Sequence, residues 1–169
     1  MNQMDESHDI RIIDIIKQLE DEKVKYAVIG GIAVVLYGYV RFTKDVDLII
    51  DFSKENVVRF VKAIDALGFR AGVPVDPLDL AVTDRRTEWM KEKNAKVITF
   101  YNPQHQLLQI DVLLTKSLDD VCVKRHQIDD VTVSVVEYED LVKMKKETGR
   151  DTDLIDIKKL EELKKDSSA

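Results

Sequence analysis

The stretch Tyr26-Ala27-Val28-Ile29-Gly30-Gly31, followed by Ile32 to Tyr37, Gly38, Arg41, Thr43 and then Asp45-Val46-Asp47-Leu48-Ile49-Ile50-Asp51, decides how this chain folds. Tyr26 to Ile29 is an apolar run of strand length, and Ile32 to Tyr37 reads as a helix that ends near Gly38. Two glycines between a strand and a helix let backbone N–H groups approach an anion, and the helix N-terminus adds a favourable partial charge there. Asp45 to Phe52 is the next strand. Its two-residue period puts Val46, Leu48 and Ile50 on one face and Asp45, Asp47, Ile49 and Asp51 on the other. Asp45 and Asp47 therefore point the same way, roughly 6.5–7 Å apart at the backbone. Leaning inward, such a pair can hold divalent cations that bridge phosphates.

Outward from this stretch, Ile10, Ile13, Ile16 and Leu19 recur at helical spacing beside polar Arg11, Asp14, Lys17 and Gln18, which predicts an amphipathic helix over 9–22. Ser53 is placed to cap a helix that runs through Leu67 and stops at Gly68. Pro74 to Pro77 reads as a loop, and Thr83 to Lys93 as a polar helix carrying the single tryptophan, Trp89. Lys96 to Tyr101 and Leu107 to Thr115 are strands around the Asn102-Pro103 turn, in hairpin order. Residues 117–126 are ambiguous and lean helical, and Val131 to Val136 is a short strand. Glu137 to Glu147 and Asp151 to Lys164 are helices separated by Gly149, with a frayed tail from Asp166. The order predicts one α/β (α+β) domain over 1–169: an N-terminal helix, a core over 26–136 with a mixed sheet flanked by helices, and C-terminal helices over 137–164.

Composition sets the class. The 169 residues are 44% hydrophobic and 34% charged, which suits one globular domain and is too apolar for a disordered chain. With 26 basic and 32 acidic side chains, the formal charge of −6 argues against a protein whose main work is coating nucleic acid. One cysteine, Cys122, cannot form an internal disulfide, and reads as a small buried side chain. Only His8, His105 and His126 accompany it, without catalytic spacing, so a Cys/His zinc cage is excluded. The longest apolar run, Ala27 to Val40, is shorter than a membrane span and is broken by three glycines. Met1 to Asp9 is polar and acidic and lacks signal-peptide order, so a cytoplasmic protein with no membrane partner is expected.

Acid-x-acid triplets are common in so acidic a chain, and Asp45/Asp47 alone is a weak signal. Two features strengthen it. The pair sits among Val46, Leu48, Ile49 and Ile50, where an unpartnered carboxylate would be costly. A third acid, Asp111, interrupts another apolar strand, Gln109-Ile110-Asp111-Val112-Leu113-Leu114. Three acids so placed ask for a common cation.

Gly30-Gly31, then Asp45-Val46-Asp47 with apolar flanks, then a lone Asp111 on a later strand, resembles the nucleotidyltransferase superfamily built around the DNA polymerase beta palm. The string Gly38-Tyr39-Val40-Arg41-Phe42-Thr43-Lys44-Asp45-Val46-Asp47-Leu48 is similar to its small bacterial branch: minimal nucleotidyltransferases, AbiEii-like toxins and lincosamide-type antibiotic adenylyltransferases. Asp140-Leu141-Val142-Lys143-Met144-Lys145 and Gly149-Arg150-Asp151-Thr152-Asp153-Leu154-Ile155-Asp156 resemble that branch too, so the likeness covers about residues 10 to 163.

The resemblance implies a polymerase-beta-like fold in which Gly30 and Gly31 contact a triphosphate and Asp45 and Asp47 coordinate two magnesium ions (Mg2+). Asp111 would complete the site as metal ligand or general base. The implied reaction is transfer of a nucleoside monophosphate, AMP by preference, from an NTP such as ATP to a hydroxyl acceptor, with release of pyrophosphate. The acceptor class stays open among a small molecule, a tRNA end and a protein, and a homodimer could complete its pocket. Many members carry serine where this chain has Gly31, so backbone amides replace one side-chain phosphate contact.

Arg41 and Lys44 flank the acidic pair and are candidates to steady phosphate, against a plain solvated role. Arg85, Arg86 and Trp89 could pair with phosphate and stack on a base, but a capping helix with Trp89 in the core is the stronger expectation. Arg150, Asp153 and Asp156 read as a helix-end ion network, with an acceptor-binding role as the lesser option. Lys143, Lys145 and Lys146 read as a solvated basic face. Two rivals stand beside the enzyme: a catalytically weak nucleotide- or partner-binding regulator of a toxin–antitoxin type system, and an interaction module whose acids are structural. In the module, removing Asp45 or Asp47 destabilises the fold, whereas in a metal site it relieves repulsion.

Overall fold

The computed structural model describes residues 9–168, so the expectations for Met1 to His8 lie outside the described residues. Helix α1 (Ile12–Asp21) leads into β1 (Tyr26–Ile29), α2 (Gly30–Leu36), β2 (Asp45–Ile50), α3 (Lys54–Ala66) and a two-residue β3 (Arg70–Ala71). A 3-10 segment (Pro77–Ala81), α4 (Thr83–Glu92), β4 (Val97–Tyr101) and β5 (Gln109–Leu113) follow. A short 3-10 turn (Leu118–Asp120) then precedes β6 (Val123–Ile128), β7 (Val131–Val136), α5 (Tyr138–Thr148) and α6 (Asp151–Ser167). The seven strands make one mixed sheet in the order β3-β4-β5-β2-β1-β7-β6.

Local chemistry explains the boundaries. The Ser53 hydroxyl accepts the Asn56 N–H at 3.4 Å and caps α3. Gly149, at φ +58°, ends α5 in the left-handed conformation that glycine adopts without steric cost. Asn56 is buried and fully used: its oxygen accepts the Lys25 N–H at 2.7 Å, and its amide donates to the carbonyls of Lys25 and Asp51 at 2.9 and 2.8 Å. That side chain ties the start of β1 to the end of β2.

Pairing then sets the face. β1 and β2 are antiparallel with Ile29 opposite Asp47, and β2 and β5 are parallel with Asp47 opposite Asp111. β4 and β5 form the expected hairpin, with Thr99 opposite Asp111. Directly paired residues share a face, so Asp45, Asp47, Asp111 and Thr99 lie together. On the other face Val46, Leu48, Ile110, Val112 and Phe100 are wholly buried. Phe100 meets Phe60 of α3 edge-to-face at 5.6 Å, and each such buried side chain contributes roughly 1.5–3 kcal/mol.

Three expectations are corrected. Residues 117–126 are not a helix: apart from the short 3-10 turn they enter β6, an edge strand paired antiparallel with β7. Cys122 is exposed, because it lies at the entry to that edge. The tail from Asp166 does not fray at once, since α6 continues to Ser167. Among the described residues no helix is long and apolar enough to cross a membrane.

Candidate active site

The site is built where β1 turns into α2. Gly30 has φ +66°, and a Cβ there would overlap the Asp47 carboxylate. Only glycine meets both demands. A Cβ on Gly31 would come within 2.8 Å of Thr43 Oγ1 and 3.0 Å of Arg41 Nη2, so these two groups occupy the space a serine side chain would need. The glycine turn, the loop before β2 and the first acid strand are thus in mutual contact.

Asp47 is the electrostatic focus. Burial, then the negative charges of Asp111 and Asp45, push its carboxyl up to about 7, against an opposing pull from Lys145 and Arg150. Asp111 is also raised, by burial first, although Thr99 Oγ1 donates to its Oδ1 at 2.6 Å and favours the charged form. Among the described residues, the buried Oδ1 of Asp45 has no hydrogen-bond partner. Three acids that repel one another, one with an unmatched buried oxygen, form a hard-oxygen donor set suited to Mg2+. They are not closed around a centre: among the described residues no group of three Asp, Glu, His or Cys side chains forms a ready cation cage. Asp51 stands apart, accepting the Ser53 N–H at 2.8 Å.

Arg41 is held rather than free. Its Nε and Nη2 each donate to the Asp156 carboxylate at 2.9 Å, and Nη1 donates to the Phe42 carbonyl at 3.2 Å. With five N–H donors, the guanidinium keeps two for a further acceptor on the Gly31 side. Lys44 is exposed. Arg86 packs over the Phe52 ring at 4.2 Å and donates to the Leu80 carbonyl, while Arg85 pairs with Glu88 at 3.3 Å. Both arginines serve local structure, and Trp89 is buried.

Sequence reasoning missed Lys145. It is 4% exposed, not part of a solvated face, and lies on the buried stripe with Leu141 and Val142 at helical spacing. Its Nζ reaches Asp153 at 3.2 Å and Asp156 at 2.9 Å. Arg150 Nε and Thr148 Oγ1 donate to Asp153 at 2.9 and 2.8 Å. Burial opposes ionisation of Asp153, but these hydrogen bonds outweigh it and hold the carboxyl well below the usual range. The expected helix-end network is present, and through Asp156 it seats Arg41. Thr99 was also missed, because a lone threonine on a strand carries no signal until its partner is known. His105 Nδ1 lies 3.7 Å from Asp9, and His126 is on β6.

No family model matches this chain, and no curated protein matches it significantly in sequence. Among solved structures, the lincosamide antibiotic adenylyltransferase LnuA, in its lincomycin-bound crystal structure, is similar with a TM-score of 0.61 and 16% identity. The match covers 92% of this chain and 99% of that one. The likeness is one of architecture, and the chain has the mixed-sheet nucleotidyltransferase fold.

Proposed function

We propose that this chain is a nucleotidyltransferase that moves a nucleoside monophosphate from an NTP to a hydroxyl. The observation that carries this is the placing of Asp45, Asp47 and Asp111 on one sheet face, with the Asp47 carboxylate against the Gly30 turn. AMP as the transferred group and ATP as donor follow the structural neighbour, an adenylyltransferase.

Asp45, Asp47 and Asp111 would hold magnesium. When bound, the metal would offset phosphate charge and stabilise the departing pyrophosphate. The chain's own groups do the rest. Backbone N–H groups of Gly30 and Gly31 bind phosphate oxygens at the start of α2. Arg41, seated by Asp156, presents its remaining N–H groups to the same oxygens. Asp111, oriented by Thr99, accepts the proton of the attacking hydroxyl.

Calorimetric titration with ATP, with and without magnesium, tests this beside the Asp45→Asn/Asp47→Asn variant. The expected result is magnesium-dependent binding that disappears in the variant. Absence of binding with each of the four common triphosphates would overturn the proposal.

A further inference from the structure

The sheet order β1-β2-β5-β4 sets a line across the acid face. The glycine turn ends β1, Asp45 and Asp47 follow on β2, Asp111 on β5 and Thr99 on β4, with adjacent strands about 4.8 Å apart. Beyond Thr99 the line enters a cavity of about 510 Å³ over β4, roofed by the 72–75 loop and the C-terminal end of α4. Gln109, the register partner of Asp45, lines it as well, so the cavity borders the acids from two strands.

Its walls are apolar and wet. Val73, Val97 and Tyr101 line it and are 47%, 39% and 40% exposed, although two of them belong to an interior strand. Trp89, on α4, adds an aromatic wall. Among the described lining residues Lys93 carries the only charge. With no carboxylate among its lining residues, and acids only at its Asp111 edge, the cavity walls suit an uncharged body better than a polyamine or amino sugar. One lysine is too little for a polyanionic strand. The volume falls within the rough range of 300–1,000 Å³ that small ligands occupy.

We propose that this cavity is the acceptor subsite, and that it takes a small neutral molecule with an apolar or aromatic body and a hydroxyl directed at Asp111. The assignment rests on the nucleotidyl-transfer function proposed above. In-line displacement needs attacking and leaving oxygens on opposite sides of phosphorus. The cavity lies on the β4 side of Asp111 and the glycine turn on the β1 side of Asp47. The acceptor oxygen bonds to the α-phosphorus while the bond to the oxygen bridging to the β-phosphorus breaks. Pyrophosphate leaves with that electron pair, and the hydroxyl proton passes to the Asp111 carboxylate.

Trp89 is the only tryptophan, so its indole N–H resonance reports on the cavity. The experiment titrates 2-naphthol into the wild type and into Val73→Glu and Tyr101→Ala, with magnesium–ATP binding measured on the same samples. The expected result is a saturable Trp89 shift, weakened at least about fivefold in both variants, while ATP affinity changes less than about twofold. Val73 lies on an exposed loop, so its variant keeps the test open if Tyr101→Ala does not fold. ATP binding without a saturable shift overturns the subsite alone. A shift without any magnesium-dependent ATP binding overturns the acceptor assignment together with the proposed function. Tighter effects on Trp89 from kanamycin or a short oligoribonucleotide would overturn the choice of a small neutral acceptor.

Discussion

The Asp47 carboxylate lies against the backbone of Gly30, in the space a Cβ at position 30 would fill. The glycine turn and the acid are therefore one steric unit, and in the function proposed above the first would face the phosphates and the second the metal. Gly30→Ala must enter the left-handed region and displace Asp47 together. It is expected to lower stability by about 2–4 kcal/mol and to abolish magnesium-dependent ATP binding, as read by thermal unfolding and calorimetry.

At the next position the obstacles are two movable side chains, Thr43 first and then Arg41. Gly31→Ser brings a Cβ to 2.8 Å from Thr43 Oγ1, and is expected to cost about 1 kcal/mol or slightly more. Adding Thr43→Ala makes room. The double variant should recover most of the loss, and a double-mutant cycle on denaturant unfolding would measure the coupling.

Asp47 makes the metal-free protein pH-sensitive. Its folded value near 7 lies above the ordinary aspartate value near 4. The folded state thus holds a proton that the unfolded chain has released. The contribution is fully present below about pH 4 and is lost as pH rises to about 7. Asp47→Asn should flatten that decline and exceed the wild type at pH 8 by about 2–4 kcal/mol. Urea unfolding across pH 4–8 in a chelator checks it. A destabilised variant at pH 8 would favour a purely structural role for the acid.

Lys145 should be the costliest lysine to remove. Lys145→Met removes the buried cation that Asp153 and Asp156 share and leaves each carboxylate with a single arginine partner, at an expected cost of about 3–5 kcal/mol. Lys143, two positions earlier and exposed, should tolerate the same change within about 0.5 kcal/mol. Guanidinium unfolding of the two variants side by side gives the comparison.

Thr99→Val removes the hydrogen bond that favours the charged form of Asp111. The Asp111 carboxyl should titrate still higher, which carbon NMR of labelled aspartate would detect. Thr99→Ser, keeping the hydroxyl, should restore the wild-type position.

The period-2 pattern around Val46, Leu48 and Ile50 was enough to set Asp45 and Asp47 on one face, because that face is a local property of one strand. The apposition of Asp47 and Asp111 was less legible. It depends on parallel pairing between strands far apart in sequence, and Gln109 to Leu113 carries no mark of its neighbour. β6 escaped notice for a different reason: Val123 to Ile128 is mostly exposed and is held by its ladder to β7, so it shows no apolar alternation. Lys145 was legible in principle, at spacings of four and three from Leu141 and Val142. Charge argued against burial until Asp153 and Asp156 were seen to meet it.

The Arg41–Asp156 pair closes a loop of 115 residues. During synthesis the strands carrying Asp45, Asp47 and Asp111 leave the ribosome well before α6, so a nascent chain can pair its sheet while Arg41 still lacks its anchor. Late translation is then the step that anchors the loop before β2: while α6 is still inside the exit tunnel the strands can pair, but Arg41 has no carboxylate to hold it.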